Sequence, residues 1–442
     1  MYVSNIIVTA TLLWLAIPGR GQEPVQRYLS VKELVTLAEK NSIAVRISQT
    51  EATATSRAAD LVKLNQTPSL SAGFSYGYIS NADTWTPSFS KHEERSIPHT
   101  TTLLNLDASW LLYGGGRIRH QFAAAENRAA AANMSAADQK NEVIAKALTN
   151  YLEILRLHNE QVIYQQNLVL AGNRLRQVKH MKEQGLVTPN DVLRTELSIS
   201  ELTLMISRSH HMVEALNYEL TVMLGLEDTA IIPDSTLWQQ ANINLQEDDL
   251  LATAYSLHPG LKAAGYRSRV AKSDLAVART EKRPEVSLYA FNNLQRPFMV
   301  SLPPTDIYFN IWQAGIRIRY NITSLLKAGH SIAVGKLQLE KQQQTELLLR
   351  QNIGIAIKYA FIRYQESKDE QNILKKDLQL AAENYRIVER KYMQQLTLIT
   401  EMTDAANARI AAEVRLQNGK IRILQQYYSL LREAGMLDAQ IL

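Results

Sequence analysis

The sequence predicts a mixed α/β membrane protein: very long helices forming a rod or part of a tube, and four β-strands per chain contributed to a transmembrane barrel shared between copies. Three observations predict this. First, two proline-free tracts, Arg117 to Lys182 and roughly Leu325 to Gln394, are rich in good helix formers. At 1.5 Å per residue each would be on the order of 100 Å long, more than the width of a compact domain of this size. Second, segments of ~10 residues alternate apolar and polar positions, with aromatics on the apolar side. Third, the chain repeats itself: Leu170, Ala171, Arg176, Val178, Gln184 and Leu186 recur 210 residues later as Leu380, Ala381, Arg386, Val388, Gln394 and Leu396.

Within the helical tracts Leu148, Leu155, Val162 and Val169 recur every seven residues, as do Leu378, Tyr385 and Tyr392, so these helices call for helical neighbours. The stretch "QGLVTPNDVLRTE" (184–196) interrupts the first tract. Gly185 can take the left-handed conformation that closes a helix, and Pro189 is tolerated in the first turn of the next. Thr188 can cap that turn, with Asp191 three residues on completing a capping box. A hairpin at 183–191 follows, and the repeat places its counterpart at 393–402. The 210-residue offset also carries Tyr218 to Tyr428, Leu220 to Leu430 and Gly225 to Gly435. It drifts toward the N-terminus, where "TPSLSAGF" precedes "RPEVSLYAF" by 216 and Gly116 precedes Gly329 by 213. The repeats are placed at 28–226 and 248–437, joined by a linker at 227–247.

Each repeat holds two strand segments. In 69–80, Leu70, Ala72, Phe74, Tyr76 and Tyr78 alternate with Ser and Gly. In 102–113, Leu104, Leu106, Ala108, Trp110 and Leu112 alternate with Asn105, Asp107 and Ser109. In 307–322, Tyr308, Trp312, Ala314, Ile316 and Ile318 face one way and Gln313, Gly315, Arg317 and Arg319 the other. The segment 285–295 alternates poorly, with Tyr289 and Phe291 on the polar side. Four strands cannot close a barrel of useful diameter, and open edges cannot be left in lipid. Several copies must share one barrel, with Asn105, Asp107, Arg317 and Arg319 toward its lumen.

Composition excludes more than it selects. In 442 residues, 48 basic against 43 acidic side chains leave a net +5 spread along the chain, which is no nucleic-acid footprint. The absence of cysteine removes disulfides, thiolate metal sites and cysteine nucleophiles. The apolar run Ile6–Ile17 is too short to span a bilayer and is expected to be the core of a signal peptide at 1–21, although no Lys or Arg precedes it. His210 and His211 are adjacent, so on a helix they splay apart rather than chelate one metal. Gly114-Gly115-Gly116-Arg117 lacks phosphate-loop spacing. No catalytic constellation is found and no cofactor is implied.

Taken together, these elements resemble the TolC-like outer membrane efflux protein family over essentially the whole mature chain. "GLVTPNDV" (185–192) is similar to that family's first-repeat tip turn, and "YGGGR" (113–117) to its glycine turn between outer strand and long helix. The resemblance implies a homotrimer with one 12-stranded β-barrel in outer-membrane lipid and a hollow α-barrel crossing the periplasm. Its partners would be a periplasmic adaptor and an inner-membrane transporter, and its role that of a passive exit duct in tripartite efflux or type I secretion. It also implies that Glu401 and Asp404, three apart on one helix face, form the narrowest ring of the entrance, repelling anions and attracting cations. Tyr392 and Asp191 would latch the closed tip. Two departures stand out: Gln395 replaces the usual glycine of the second tip, and Thr397 replaces the arginine of the latch. The alternatives are a periplasmic coiled-coil adaptor or helical scaffold without a pore, and a cytosolic helical protein that retains its N-terminal run.

Overall fold

A computed structural model describes residues 25–226, 229–234, 246–300 and 304–437. The segment 1–21 and most of the linker 227–247 lie outside the described residues. In chain order the elements are β1 (Val25–Leu29), α1 (Val31–Asn41), α2 (Ile43–Leu64), β2 (Ser69–Tyr78), β3 (Ala82–Trp85), β4 (His92–Arg95), β5 (Thr100–Tyr113), α3 (Arg117–Glu183) and α4 (Pro189–Leu224). There follow β6 (Thr229–Pro233), α5 (Glu247–Leu257), α6 (Pro259–Thr280), β7 (Glu285–Arg296), β8 (Phe309–Arg319), α7 (Ile322–Met393) and α8 (Ile399–Glu433).

Three tiers stack along the long axis, each four elements wide. The top tier is an antiparallel sheet in the order β2-β5-β7-β8. Below it, α2 packs on α3, α3 on α6, and α6 on α7. In the lowest tier α4 packs on α3, α3 on α8, and α8 on α7. Helices α3 and α7, of 67 and 72 residues, run through both helical tiers. Every tier therefore ends in β2, α2 or α4 on one side and in β8 or α7 on the other. Both margins carry exposed apolar side chains: Leu193, Leu197, Met212, Tyr218 and Val222 on α4, and Leu348, Ile355, Tyr359 and Ile373 on α7.

The largest core sits at the equator, where Leu34, Val35, Ile144, Leu148, Leu152, Leu220, Leu224, Ile357, Tyr364, Leu424 and Leu431 pack around Tyr151. The Tyr151 hydroxyl donates to the Leu29 carbonyl at 2.5 Å and accepts from the Asp234 backbone N–H at 2.8 Å. Burial pushes its pKa up to about 12. This contact clamps a two-stranded parallel ribbon of β1 and β6 onto α3.

Two sequence expectations are corrected and a third is filled in. The stretch expected to be the linker, 227–247, contains strand β6, whose partner lies some 200 positions earlier (Val25 opposite Thr229), a pairing no local pattern announces. Gly329 is not the counterpart of Gly116: Gly116, at φ +86, caps α3, whereas α7 is capped by the Asn321 side chain and Gly329 lies inside the helix. Leu148 and Leu155 are buried as the heptad requires, but Val162 and Val169 are exposed, at 51% and 65%. Below the equator the inward seam of α3 passes instead through Glu160, Ile163, Asn167, Ala171, Arg174 and Val178.

Among the described residues no helix is long and apolar enough to cross a membrane. The sheet is the apolar-faced element. Leu70, Phe74, Leu106, Trp110, Leu288, Trp312, Ile316 and Ile318 stand exposed on one of its faces, while cross-strand register gathers Ser71, Asp107, Phe291 and Gln313 on the other. Arg317 and Arg319 continue that second face, as Asn105 does further along β5. The short hairpin β3–β4 occupies the β2–β5 connection.

Candidate functional site

The two helical hairpins at the foot of the molecule share one backbone form. At the α3–α4 turn Gly185 has φ +72, and the Leu186 N–H donates back to the Met181 carbonyl at 2.9 Å. At the α7–α8 turn Gln395 has φ +60, and the Leu396 N–H donates to the Lys391 carbonyl at 2.8 Å. Both are Schellman closures, 210 residues apart as the repeat requires, although only the first uses glycine.

Their entries into the next helix differ. In the first hairpin the Thr188 backbone N–H and hydroxyl both donate to the Asp191 carboxylate, at 2.7 and 3.0 Å, and Pro189 opens the helix. In the second the N-cap is Leu398, which has no polar side chain to offer. Its acid, Glu401, occupies the same third helical position as Asp191 and accepts from the Thr397 hydroxyl one turn back. Apolar burial takes over there: Tyr385, Tyr392, Ile399, Met402, Ala405 and Ala406 pack with Val178 and Val192.

Glu401 and Asp404 are exposed on the side of α8 away from this cluster. Tyr392 is buried, and its hydroxyl has no hydrogen-bond partner among the described residues. Burial first, and the nearby Asp191 charge second, raise its pKa, with Arg174 opposing. No hydrogen bond joins Tyr392 to Asp191 in this conformation; the Thr188 cap binds one oxygen of the Asp191 carboxylate.

Sequence reasoning missed the seam above the tip. Asn418 donates to Glu160 at 2.7 Å, and Arg409 to Asn167 at 2.6 Å. Arg174 donates to the Tyr385 hydroxyl at 2.9 Å, and that hydroxyl donates to Glu389 at 2.6 Å. The Arg409 guanidinium also lies 4.5 Å from the centre of the Tyr385 ring. Glu160, Asn167 and Arg174 are seven residues apart, a heptad hidden because its members are polar.

A long-helix wall in two tiers, a four-stranded sheet with an apolar face and paired hairpins at the far end define the fold class of outer-membrane channel proteins. No family model matches the chain. It is 20% identical over 344 residues to the outer membrane efflux protein BepC of Brucella suis, an alignment covering 77% of this chain and 73% of that one. Among solved structures, CusC superposes with a TM-score of 0.79 at 15% identity, covering 92% of both chains. The Campylobacter jejuni CmeC outer membrane channel superposes with a TM-score of 0.75 at 15% identity, covering 92% of this chain and 86% of its own. The chain therefore has the fold of the TolC-like outer-membrane channels, as its sequence resemblance anticipated.

Proposed function

We propose that three copies assemble side by side into an outer-membrane exit duct serving an efflux or secretion system. The observation that carries the reading is that all three tiers are left open on the same two sides. A sheet edge cannot face lipid unpaired, so β8 of one copy joins β2 of the next, and three copies close twelve strands. The same rotation lays the apolar margin of α7 against that of α4 or α2 in the neighbour. The apolar sheet face then meets outer-membrane lipid, and the face bearing Asn105, Asp107, Arg317 and Arg319 lines water.

At the opposite end the exposed Glu401 and Asp404 of three copies form a six-carboxylate ring at the periplasmic entrance. Such a ring attracts cations and repels anions. Gly185 and Gln395 terminate the hairpins that carry this ring, and the tip is where a periplasmic adaptor and an inner-membrane transporter engage. The duct itself is passive, since a water-filled tube supplies no energy.

Single-channel recording in a planar bilayer tests this. The wild type is expected to pass a small cation-selective current, and the Glu401→Ala/Asp404→Ala double variant a larger, less selective one. Identical currents in both would move the constriction off these residues. Well-folded protein that forms no channel would sink the duct in favour of a periplasmic coiled-coil adaptor or scaffold.

A further inference from the structure

We propose that Tyr289, Phe291 and Arg317 form a recognition station for planar aromatic carboxylates on the polar face of the sheet, repeated three times around the lumen. The proposal rests on the duct reading above, which turns this face toward water.

The two aromatics on the polar side of β7 are what blurred its alternation. In the folded sheet their rings lie within 14° of parallel, with centres 6.5 Å apart. Residues of β8 hold the Tyr289 ring at three successive positions of that face. Gln313 donates to the Tyr289 hydroxyl at 2.8 Å. Gly315 sits directly opposite Tyr289, and a Cβ there would lie 3.0 Å from the hydroxyl oxygen, so the ring lies across the glycine. The Arg317 guanidinium stands 4.5 Å from the ring centre, with no ion pair to a carboxylate among the described residues. Ser109 lies opposite Tyr289 and Ser287 opposite Arg317, with Leu111 beyond Ser287, and the β2 part of this face is small, with Ser69, Ser71 and Gly73.

Partly exposed aromatic surface beside an unpaired guanidinium is complementary to one ligand chemistry. A planar ring stacks on Tyr289 and Phe291, and its carboxylate receives the two-pronged donor of Arg317. Asp107, opposite Phe291 and already accepting from Asn105 at 2.9 Å, lies four residues along the strand from the Arg317 row, about 13 Å away. It orients the guest with its carboxylate toward Arg317 and rejects a second negative charge at the far end. A duct must also release what it binds, so a weak site with a dissociation constant on the order of 1 mM suits conduction.

The probe is 2-naphthoate, followed by equilibrium dialysis against the detergent-solubilised full chain and by block of single-channel current. Wild type is expected to bind it reversibly in preference to cyclohexanecarboxylate. Tyr289→Ser/Phe291→Ser is expected to weaken binding at least tenfold while open-channel conductance persists. Arg317→Gln is expected to abolish the preference for naphthoate over neutral 2-naphthalenemethanol. Gly315→Val, which displaces the Tyr289 ring without deleting it, gives a second reading should the double variant misfold. Equal naphthoate binding by wild type and variants, or equal competition by cyclohexanecarboxylate, overturns the station. Naphthoate binding that the variants abolish, in a protein that forms no channels, keeps the station and overturns the duct.

Discussion

The two tip hairpins reach one backbone geometry by opposite means. In the first, each local choice agrees with the turn: glycine at the left-handed position, threonine capped by Asp191, proline opening the helix. The second has glutamine in the left-handed position and leucine at the N-cap, both locally unfavourable. It is held instead by what packs behind it, with Tyr392, Ile399 and Met402 at 3%, 4% and 0% exposure. A turn can be written in its own residues or imposed by its neighbours, and the second hairpin of this chain is imposed.

That contrast can be broken most severely at the seam. Arg174→Ala deletes a buried, charge-assisted bond to Tyr385 and is expected to destabilise the folded protein by about 2 kcal/mol. Asn384→Ala, its exposed repeat counterpart, is expected to change stability by less than about 0.5 kcal/mol. Thermal melts in detergent at one protein concentration compare them, and equal losses would mean the seam is no more than surface. Next comes the first hairpin's cap: Asp191→Ala should cost about 1 kcal/mol. Its structural twin Glu401→Ala should cost less, because the second hairpin does not rest on its local bonds; a larger loss at Glu401 would reverse the comparison.

Effects of similar or smaller size follow at the turns themselves. Gly185→Ala should cost about 1 kcal/mol through backbone strain alone, since no other atom lies within 4 Å of the added Cβ. Gln395→Gly should stabilise by about 0.5 kcal/mol, part of the relief being lost to the freer unfolded chain. Matching melts for Gln395→Gly and wild type would show the glutamine to be unstrained. The smallest change is expected at Tyr392→Phe, which removes a buried hydroxyl that bonds to nothing described: stability within about 0.5 kcal/mol and resting conductance unchanged. A rise in resting conductance would restore the hydroxyl to a closed-state latch with Asp191.

The same distinction between local and imposed structure explains what could be read from the sequence. β2 and β5 were legible because one face is apolar and the other is not, so Phe74, Tyr76 and Trp110 mark the period. β7 was blurred because Tyr289 and Phe291 sit on the polar face, where Gly315, Gln313 and Arg317 across the strand accommodate them. The long helices were plain from composition, yet their phase below the equator was lost, since buried Glu160, Asn167 and Arg174 look like surface until their partners on α7 and α8 are known. β6 was invisible because its strand partner among the described residues is the distant β1. At the tip, the first hairpin could be read residue by residue, whereas the second was placed only through the repeat.

The unpaired margins of β2 and β8 also bear on the order of events before the protein works. The equatorial core around Tyr151 is built from residues of one chain. In the assembly proposed above the sheet does not finish alone, because the outer edges of β2 and β8 have no strand partner among the described residues and wait for neighbours. Under the same proposal, closure of the barrel is a meeting of three half-built molecules, with a rate that climbs steeply with their concentration. On that proposal a solitary chain, with two sheet edges still open, is the species most exposed to mispairing.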